Sequence, residues 1–298
     1  MKIIFCSYDD YSNYAFSLSE SLKSVGVNSQ SICLVPHPFQ YVKSSIVVTR
    51  MMMIEQMEAA DIIIIAHSFP SILEMCKHMG KRLFVIHTGT SYRQNPTGMN
   101  EIFNPVCERI LFDSPEFDLL IGKERNYVAG AIDTDLIKFS HHKNTELTFA
   151  HYPNKPETKG TVKIQEMMRD FPVKFLCDTT EVSHEENMKR ISECDVYIEL
   201  FAPKQRDKTY GSFGMTAFEA AAMGKIVITN SMYQQLYFDS YGESALLIAN
   251  NEARFKEQVQ FCINSNIIDA LKGFTHNWIV EKHSYKSTGN YLIKVLNL

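Results

Sequence analysis

No apolar run in the chain approaches the eighteen or so residues that a membrane-spanning helix needs. The first polar cluster arrives after only six residues, in "MKIIFCSYDDYSNYAF", too soon for the apolar core of a secretion signal. A cytoplasmic protein without integral membrane association is therefore expected. Charge of one sign is also scarce: 30 basic against 34 acidic residues leave a net charge of -4, and nothing in that balance announces a nucleic-acid or membrane partner. Paired cysteines are missing as well. The seven cysteines (Cys6, Cys33, Cys76, Cys107, Cys177, Cys194, Cys262) are odd in number, far apart and mostly inside apolar segments. With no zinc-type spacing among them, they read as buried, reduced thiols. No low-complexity segment interrupts the chain.

What is present is an alternation. At 298 residues, 45% hydrophobic and 21% charged, the chain is long enough for two domains, each with its own core. The strand "KIIFCS" gives way to "SNYAFSLSESLKSVG", where Tyr14, Leu18, Leu22 and Val25 recur at helical spacing and Gly26 ends the run. Then follow "SQSICLV", a helix around "RMMMIEQMEAA", "DIIIIAH", the helix "PSILEMCKHMG", "RLFVIHT", "RILFD" and "NYVAG". Strands apolar on both faces and separated by helices predict a parallel sheet covered on two sides. The polar stretch "DLIKFSHHKNTE" breaks the series and reads as an interdomain linker. A second series follows: "LTFAHY", the helix "TVKIQEMMRD", "VKFLCD", a helix opened by Ser183 with Glu186 three residues on, and "DVYIELF". The expectation is an α/β protein of two Rossmann-like domains facing across a cleft. The boundaries fall at 1–140 and 141–275, with an amphipathic helical segment, 276–298, closing the chain.

The chemistry concentrates in "KTYGSFGMTAFEAAAMGKIVITN", Lys208 to Asn230. A loop leaves the strand "DVYIEL" and enters a helix near Met215 or Thr216, so free backbone N–H groups point beyond the strand ends, as an anion site requires. Gly211 and Gly214 would let a phosphate approach the backbone closely. Glu219, about one turn inside the helix, has two readings: an acid favoured by the helix dipole, or a carboxylate accepting from the vicinal hydroxyls of a ribose. Lys155 and Lys159 flank a proline-containing turn in "HYPNKPETKGT" and suit either a solvated loop or a diphosphate. His87 ends the strand "RLFVIH", where an internally satisfied histidine is common. "DTD" (Asp133 to Asp135) sits in the interdomain segment, so metal binding there is not expected. His141 and His142 stand alone as a solvated pair, and Lys204, Arg206 and Lys208 cluster as a solvated loop would.

These segments resemble the retaining GT-B glycosyltransferases of the glycosyl transferases group 1 family, which includes sucrose synthases and phosphatidylinositol mannosyltransferases. "YGSFGMTAFEAAAMGKIVITN" is similar to the signature "EGFGLPxLEAMAxGxPVI", and "NKPETKGT" to the basic element "R-x-x-x-K-G". "VSHEENMKRISECDVYIELF" resembles the helix and strand before the signature. "YVAGAIDTDLIKF" resembles the interdomain "PNGID" segment, and "EKHSYKSTGNYLIKVL" the C-terminal helix that crosses back to the first domain. The likeness covers roughly residues 80 to 298.

It implies a nucleotide-diphosphate sugar donor held by the second domain, an acceptor held by the first, and transfer with retention, without metal or further cofactor. By position, Glu219 would hold the ribose, Lys155 and Lys159 the diphosphate, and the Met215 and Thr216 amides the distal phosphate. Gly211, Ser212, Phe213 and Gly214 would form the donor loop, and His87 would stand near the donor sugar. In this family the leaving phosphate takes the acceptor proton, so no protein base is required.

One departure concerns the glutamate that the family often carries eight positions before Glu219. That place is Gly211 here, in a "YGxFxxE" form, and Glu199 and Asp207 are the acids nearby. Two rivals share the architecture: a nucleotide-sugar epimerase, and a non-catalytic protein binding a sugar nucleotide or a glycan. The acceptor stays open among a glycan, a protein, a small molecule and a modified DNA base. A lipid is disfavoured, because "RMMMIEQMEAA" is hardly basic.

Overall fold

The computed structural model describes residues 1–37, 39–142, 144–205, 208–211 and 213–298. Its contacts divide the chain into two units, Met1–Ala131 with His283–Leu298, and Ile132–Lys282. The breaks therefore fall at 131 and 282, where the sequence pattern suggested 140 and 275.

In the first unit the strands are β1 (Lys2–Ser7), β2 (Asn28–Cys33), β3 (Ile46–Val47), β4 (Ile62–Ala66), β5 (Arg82–His87), β6 (Arg109–Phe112) and β7 (Arg125–Tyr127). They form one sheet in the order β3-β2-β1-β4-β5-β6-β7, parallel throughout. Every residue of β4 is buried, as the unbroken run "IIIIA" requires of a strand covered on both faces. The helices are α1 (Tyr14–Ser24), α2 (Arg50–Glu58), α3 (Pro70–Cys76), α4 (Gly89–Gln94) and α5 (Pro96–Phe103). Of the expected apolar stripe, Tyr14, Leu18 and Leu22 are buried in α1, while Val25 lies just past the helix and is half-buried. The two-residue edge strand β3 and the pair α4 and α5 are new relative to the sequence pattern. All are too short to show a period.

The second unit repeats the plan with β8 (Thr148–His151), β9 (Lys174–Cys177), β10 (Val196–Ile198), β13 (Ile226–Thr229) and β14 (Leu247–Ile248). The order is β14-β13-β10-β8-β9, again parallel. The chain reverses its direction of travel across the sheet between β8 and β10, and ligand crevices of open parallel sheets form at such points. A small antiparallel hairpin, β11 (Lys204–Gln205) with β12 (Lys208–Thr209), stands in the segment expected to be loop alone. The helices are α6 (Pro156–Lys159), α7 (Thr161–Met168), α8 (His184–Ser192), α9 (Met215–Ala222), α10 (Gln234–Tyr241), α11 (Glu252–Asn264) and α12 (Ile268–His283). The core packs Phe149, Ile164, Val196, Ile198, Ile228 and Phe255 with their neighbours.

The last helix, α13 (Tyr285–Leu296), belongs to the first unit. The closing stretch expected as one helix is two. Ser284 interrupts it in extended backbone and caps α13, its hydroxyl accepting from the Ser287 amide at 3.3 Å. Gly289 lets α13 lie on α1, since a Cβ there would meet the Ser21 carbonyl. Among the described residues no helix is long and apolar enough to cross a membrane, and no three His, Cys, Asp or Glu side chains gather as a metal site. The seven cysteines are free thiols, all buried except the half-buried Cys177.

Candidate functional site

The residues singled out in the second unit meet at the C-terminal ends of β8 and β10. Lys159 closes α6 just after β8, and Glu199 follows the last residue of β10. Their side chains form an ion pair. Glu199 is only 2% exposed, and its other oxygen lies 3.4 Å from the Thr229 hydroxyl at the end of β13. Two glycines shape the backbone around this pair. Gly160 has φ +72, and a Cβ on it would collide with the Phe201 carbonyl oxygen; the Phe201 amide in turn donates to the Lys159 carbonyl at 3.0 Å. Gly214, the residue before α9, has no room either: its Cβ would stand 2.6 Å from Glu199 Oε1 and 3.5 Å from Lys159 Nζ. The Lys159 ammonium and the Glu199 carboxylate therefore lie against the backbone that opens α9, whose first two residues are Met215 and Thr216.

Gly211 explains its own identity. Its φ of +133 is open to glycine, and a Cβ would run into Asn230, whose amide nitrogen donates to the Tyr210 carbonyl at 2.9 Å. No glutamate fits that backbone, so the carboxylate often found eight positions before Glu219 has no counterpart there. Phe213 is half-buried. It packs edge-on against Tyr237, with centroids 4.7 Å apart, and anchors the loop to the aromatic cluster of Phe218, Tyr237 and Trp278. Ser212, Arg206 and Asp207 lie outside the described residues.

Glu219, 5% exposed, finds its donor in His184, whose Nε2 lies 2.6 Å from Glu219 Oε1. His184 is the first residue of α8 and is held there by the expected cap, the Ser183 hydroxyl accepting from the Glu186 amide at 3.3 Å. Sequence reasoning missed His184. In "VSHEEN" it reads only as a residue beside the cap, and nothing local points to an acid 35 positions away.

Beneath both carboxylates lies the fully buried Tyr197. Its phenol is pushed up by burial, and then by the charge of Glu199 and, less, of Glu219. His151, at the end of β8, is also fully buried, and burial depresses its pKa to about 4. Its Nδ1 donates to the Ile198 carbonyl at 2.7 Å, so Nε2 accepts from the Thr161 hydroxyl at 2.9 Å. The floor is thus neutral and fully hydrogen-bonded, and the charges sit above it. Lys155, four residues before Lys159, is exposed at the start of α6. A cavity of about 440 Å³ lies beyond the same strand ends, lined by Gly160, Phe201, Ala202, Thr209, Met232 and Asn250.

His87 belongs to the first unit. It is fully buried, stacked on Tyr92 at 4.1 Å between centroids, with Nδ1 2.7 Å from the Ser68 hydroxyl. Nε2 has no hydrogen-bond partner among the described residues, and burial holds the pKa down to about 3. Beside it, the Asp10 carboxylate accepts from the Ala15 and Phe16 amides, the Ser45 hydroxyl and His67 Nε2. His67 Nδ1 lies 2.7 Å from the Thr88 hydroxyl. Burial disfavours the Asp10 charge, yet these donors, His67 foremost, outweigh it and hold the carboxyl below its ordinary range. The "DTD" acids lie elsewhere: Asp133 accepts from the Asp135 and Leu136 amides at 3.1 and 2.9 Å and so closes a local turn.

No protein-family model matches the chain, and no curated protein does. Solved structures do. TarM is similar at a TM-score of 0.58 and 14% identity, over 83% of this chain and 57% of that one. The spinosyn forosaminyltransferase SpnP is similar over the whole of both chains, at 0.51 and 12%. A UDP-N-acetylglucosamine 2-epimerase is similar over 99% of this chain and 95% of its own, at 0.51 and 7%. These likenesses show the fold, which is GT-B: two Rossmann-like units of parallel sheet and helix.

Proposed function

We propose that the protein is a cytoplasmic, metal-independent glycosyltransferase that moves a sugar from a nucleotide-diphosphate sugar to an acceptor, with retention of configuration. The donor is bound by the second unit and the acceptor by the first. One observation carries the reading. Lys159 is packed against Gly214 at the opening of α9 while Glu219 stands one turn further along the same helix. In this arrangement Lys159, with the Met215 and Thr216 amides, meets the phosphate oxygen on which charge grows as the sugar departs. Donors fixed in advance at that place stabilise the transition state more than the ground state. Glu219 accepts from the ribose hydroxyls, exchanging its bond to His184 for theirs. Lys155, at the head of α6, adds a second cation for the diphosphate.

A panel of UDP, GDP, ADP and CMP with their common sugar conjugates, followed by thermal melting, tests this. At a hundredfold excess over the dissociation constant, one nucleotide should raise stability by about 2.7 kcal/mol, a shift of a few degrees, and Glu219→Ala should lose it. No shift with any of them would remove the donor site. Two other readings share the fold. Gly211, whose backbone rejects a side chain, favours a protein that binds sugar nucleotides without turning them over, and such a protein would show the shift without transfer to any acceptor. An epimerase would alter the bound sugar with no acceptor present.

A further inference from the structure

We propose that the first unit binds an uncharged oligosaccharide on an aromatic surface at the ends of β1, β2 and β4. As the acceptor of a transferase this saccharide rests on the function proposed above; as a bound ligand it does not. Six rings gather there, on the segments that follow the three strands: Tyr8 and Tyr11, then His37, Phe39 and Tyr41, then Phe69. The sheet order places β1 between β2 and β4, the point at which the chain turns from one half of the sheet to the other and at which open parallel sheets take ligands. In the same unit Phe103, Phe112 and Phe117 are fully buried, whereas Tyr8 is 46% exposed and the other five rings are half-buried. Ring faces left open and collected in one place mark a contact surface.

Hydrogen bonds hold this surface in shape. The Tyr8 carbonyl accepts from the Leu34 and Val35 amides, both at 2.9 Å, and His37 Nδ1 accepts from the Phe39 amide at 2.9 Å. Asn13 joins the first loop to the second, its Nδ2 donating to the Lys43 carbonyl at 2.8 Å. Asn13 is only 6% exposed, and its Oδ1 has no hydrogen-bond partner among the described residues. A buried oxygen without a donor suits a ligand that brings hydroxyls.

Charge and the grouping of the rings select the ligand. The three segments, 7–13, 34–45 and 67–70, carry Asp9, Asp10 and Lys43, and Asp10 is buried against His67. Single-stranded nucleic acid needs a cationic track beside its stacking rings, and one lysine near two acids does not supply it. The C–H face of a pyranose needs no such track. It packs on the negatively polarised face of an aromatic ring, while the hydroxyls at its edge reach polar groups around the ring. The rings fall into two groups, Tyr8 against Phe69 at 5.8 Å between centroids, and Tyr11, Phe39 and Tyr41 around His37. Two stacking places suit two sugar rings of one chain.

A glycan array of uncharged, sulfated and sialylated oligosaccharides, probed with the full chain, tests this, followed by calorimetric titration of the strongest ligand. Hexathymidylate and 2-naphthol are titrated beside it. An uncharged oligosaccharide should bind best. Tyr8→Ala and Phe69→Ala should each weaken it about tenfold, and Tyr8→Phe, which keeps the ring, should retain most of the affinity. The melting point of Tyr8→Ala should stay within about a degree of the wild type, which separates lost stacking from lost folding. The proposal is overturned if no uncharged glycan binds, if Tyr8→Ala leaves the affinity unchanged, or if hexathymidylate or 2-naphthol binds more tightly than every saccharide. A melting shift with a nucleotide but no saccharide bound would overturn this inference and leave the donor reading. A saccharide bound with no nucleotide shift would remove the transferase and leave the saccharide site.

Discussion

The two units end their sheets differently. Beyond the strands of the first unit, polar side chains bind one another: Asp10 to His67, His67 to Thr88, Ser68 to His87, all buried. His67 and Ser68 hold this arrangement in consecutive left-handed conformations, φ +63 and +57, which cost non-glycine residues about 1–3 kcal/mol each. Beyond β8 and β10 of the second unit, Gly160 and Gly214 let the backbone close in around the Lys159–Glu199 ion pair. A related topology can therefore end its strands in a buried network of neutral and charged side chains or in backbone drawn close around an ion pair. The residue types at the turns decide which.

The sharpest way to break this contrast is Lys159→Met. Turnover with the identified donor should fall by about 10²–10³-fold. The buried Glu199 would be left without its cation, so folding stability should also drop, by about 3–5 kcal/mol. Adding Glu199→Gln to that variant should recover most of the stability and none of the turnover. Denaturant melts and initial rates on the same three proteins check both halves.

Gly160→Ala comes next. A methyl at φ +72 against the Phe201 carbonyl should cost about 2–4 kcal/mol and displace Lys159. Gly122→Ala is the control in the first unit. It has open space and an ordinary φ, and its melting should shift by less than about 0.5 kcal/mol.

Acid probes the buried histidines of both units. His87 and His151 keep folded pKa values of about 3 and 4, below the unfolded value of about 6.5. The unfolded chain therefore binds protons first, and stability falls with pH from about 6.5 downward. At pH 5 each histidine should have removed about 2 kcal/mol. The half-buried Asp113, raised by desolvation to about 6, acts the other way and returns about 1 kcal/mol over the same interval. Urea melts at pH 7 and pH 5 measure the sum, and His87→Phe should remove its own share of the slope.

The smallest effect expected is that of Ser183→Ala. Loss of the α8 cap should cost about 1 kcal/mol, or a few degrees in Tm, and should weaken nucleotide binding slightly through His184 and Glu219.

The sequence by itself determined the alternation of buried strands with helices, the stripe of α1, the Ser183 cap, the reduced cysteines and the glycine loop running into α9. Each is a local signal: a period, a cap, a residue that tolerates positive φ or close approach. It could not supply the short edge strands β3 and β14, which show no period, or the break at Ser284. Nor could it choose between the readings of Glu219, because the donor it meets is 35 residues away. The pairing of Lys159 with Glu199 spans 40 residues. Only the tertiary structure decided it, because parallel strand order brings the ends of β8 and β10 side by side, and a carboxylate that reads locally as one more residue after a strand becomes a buried partner of the ammonium beside α9.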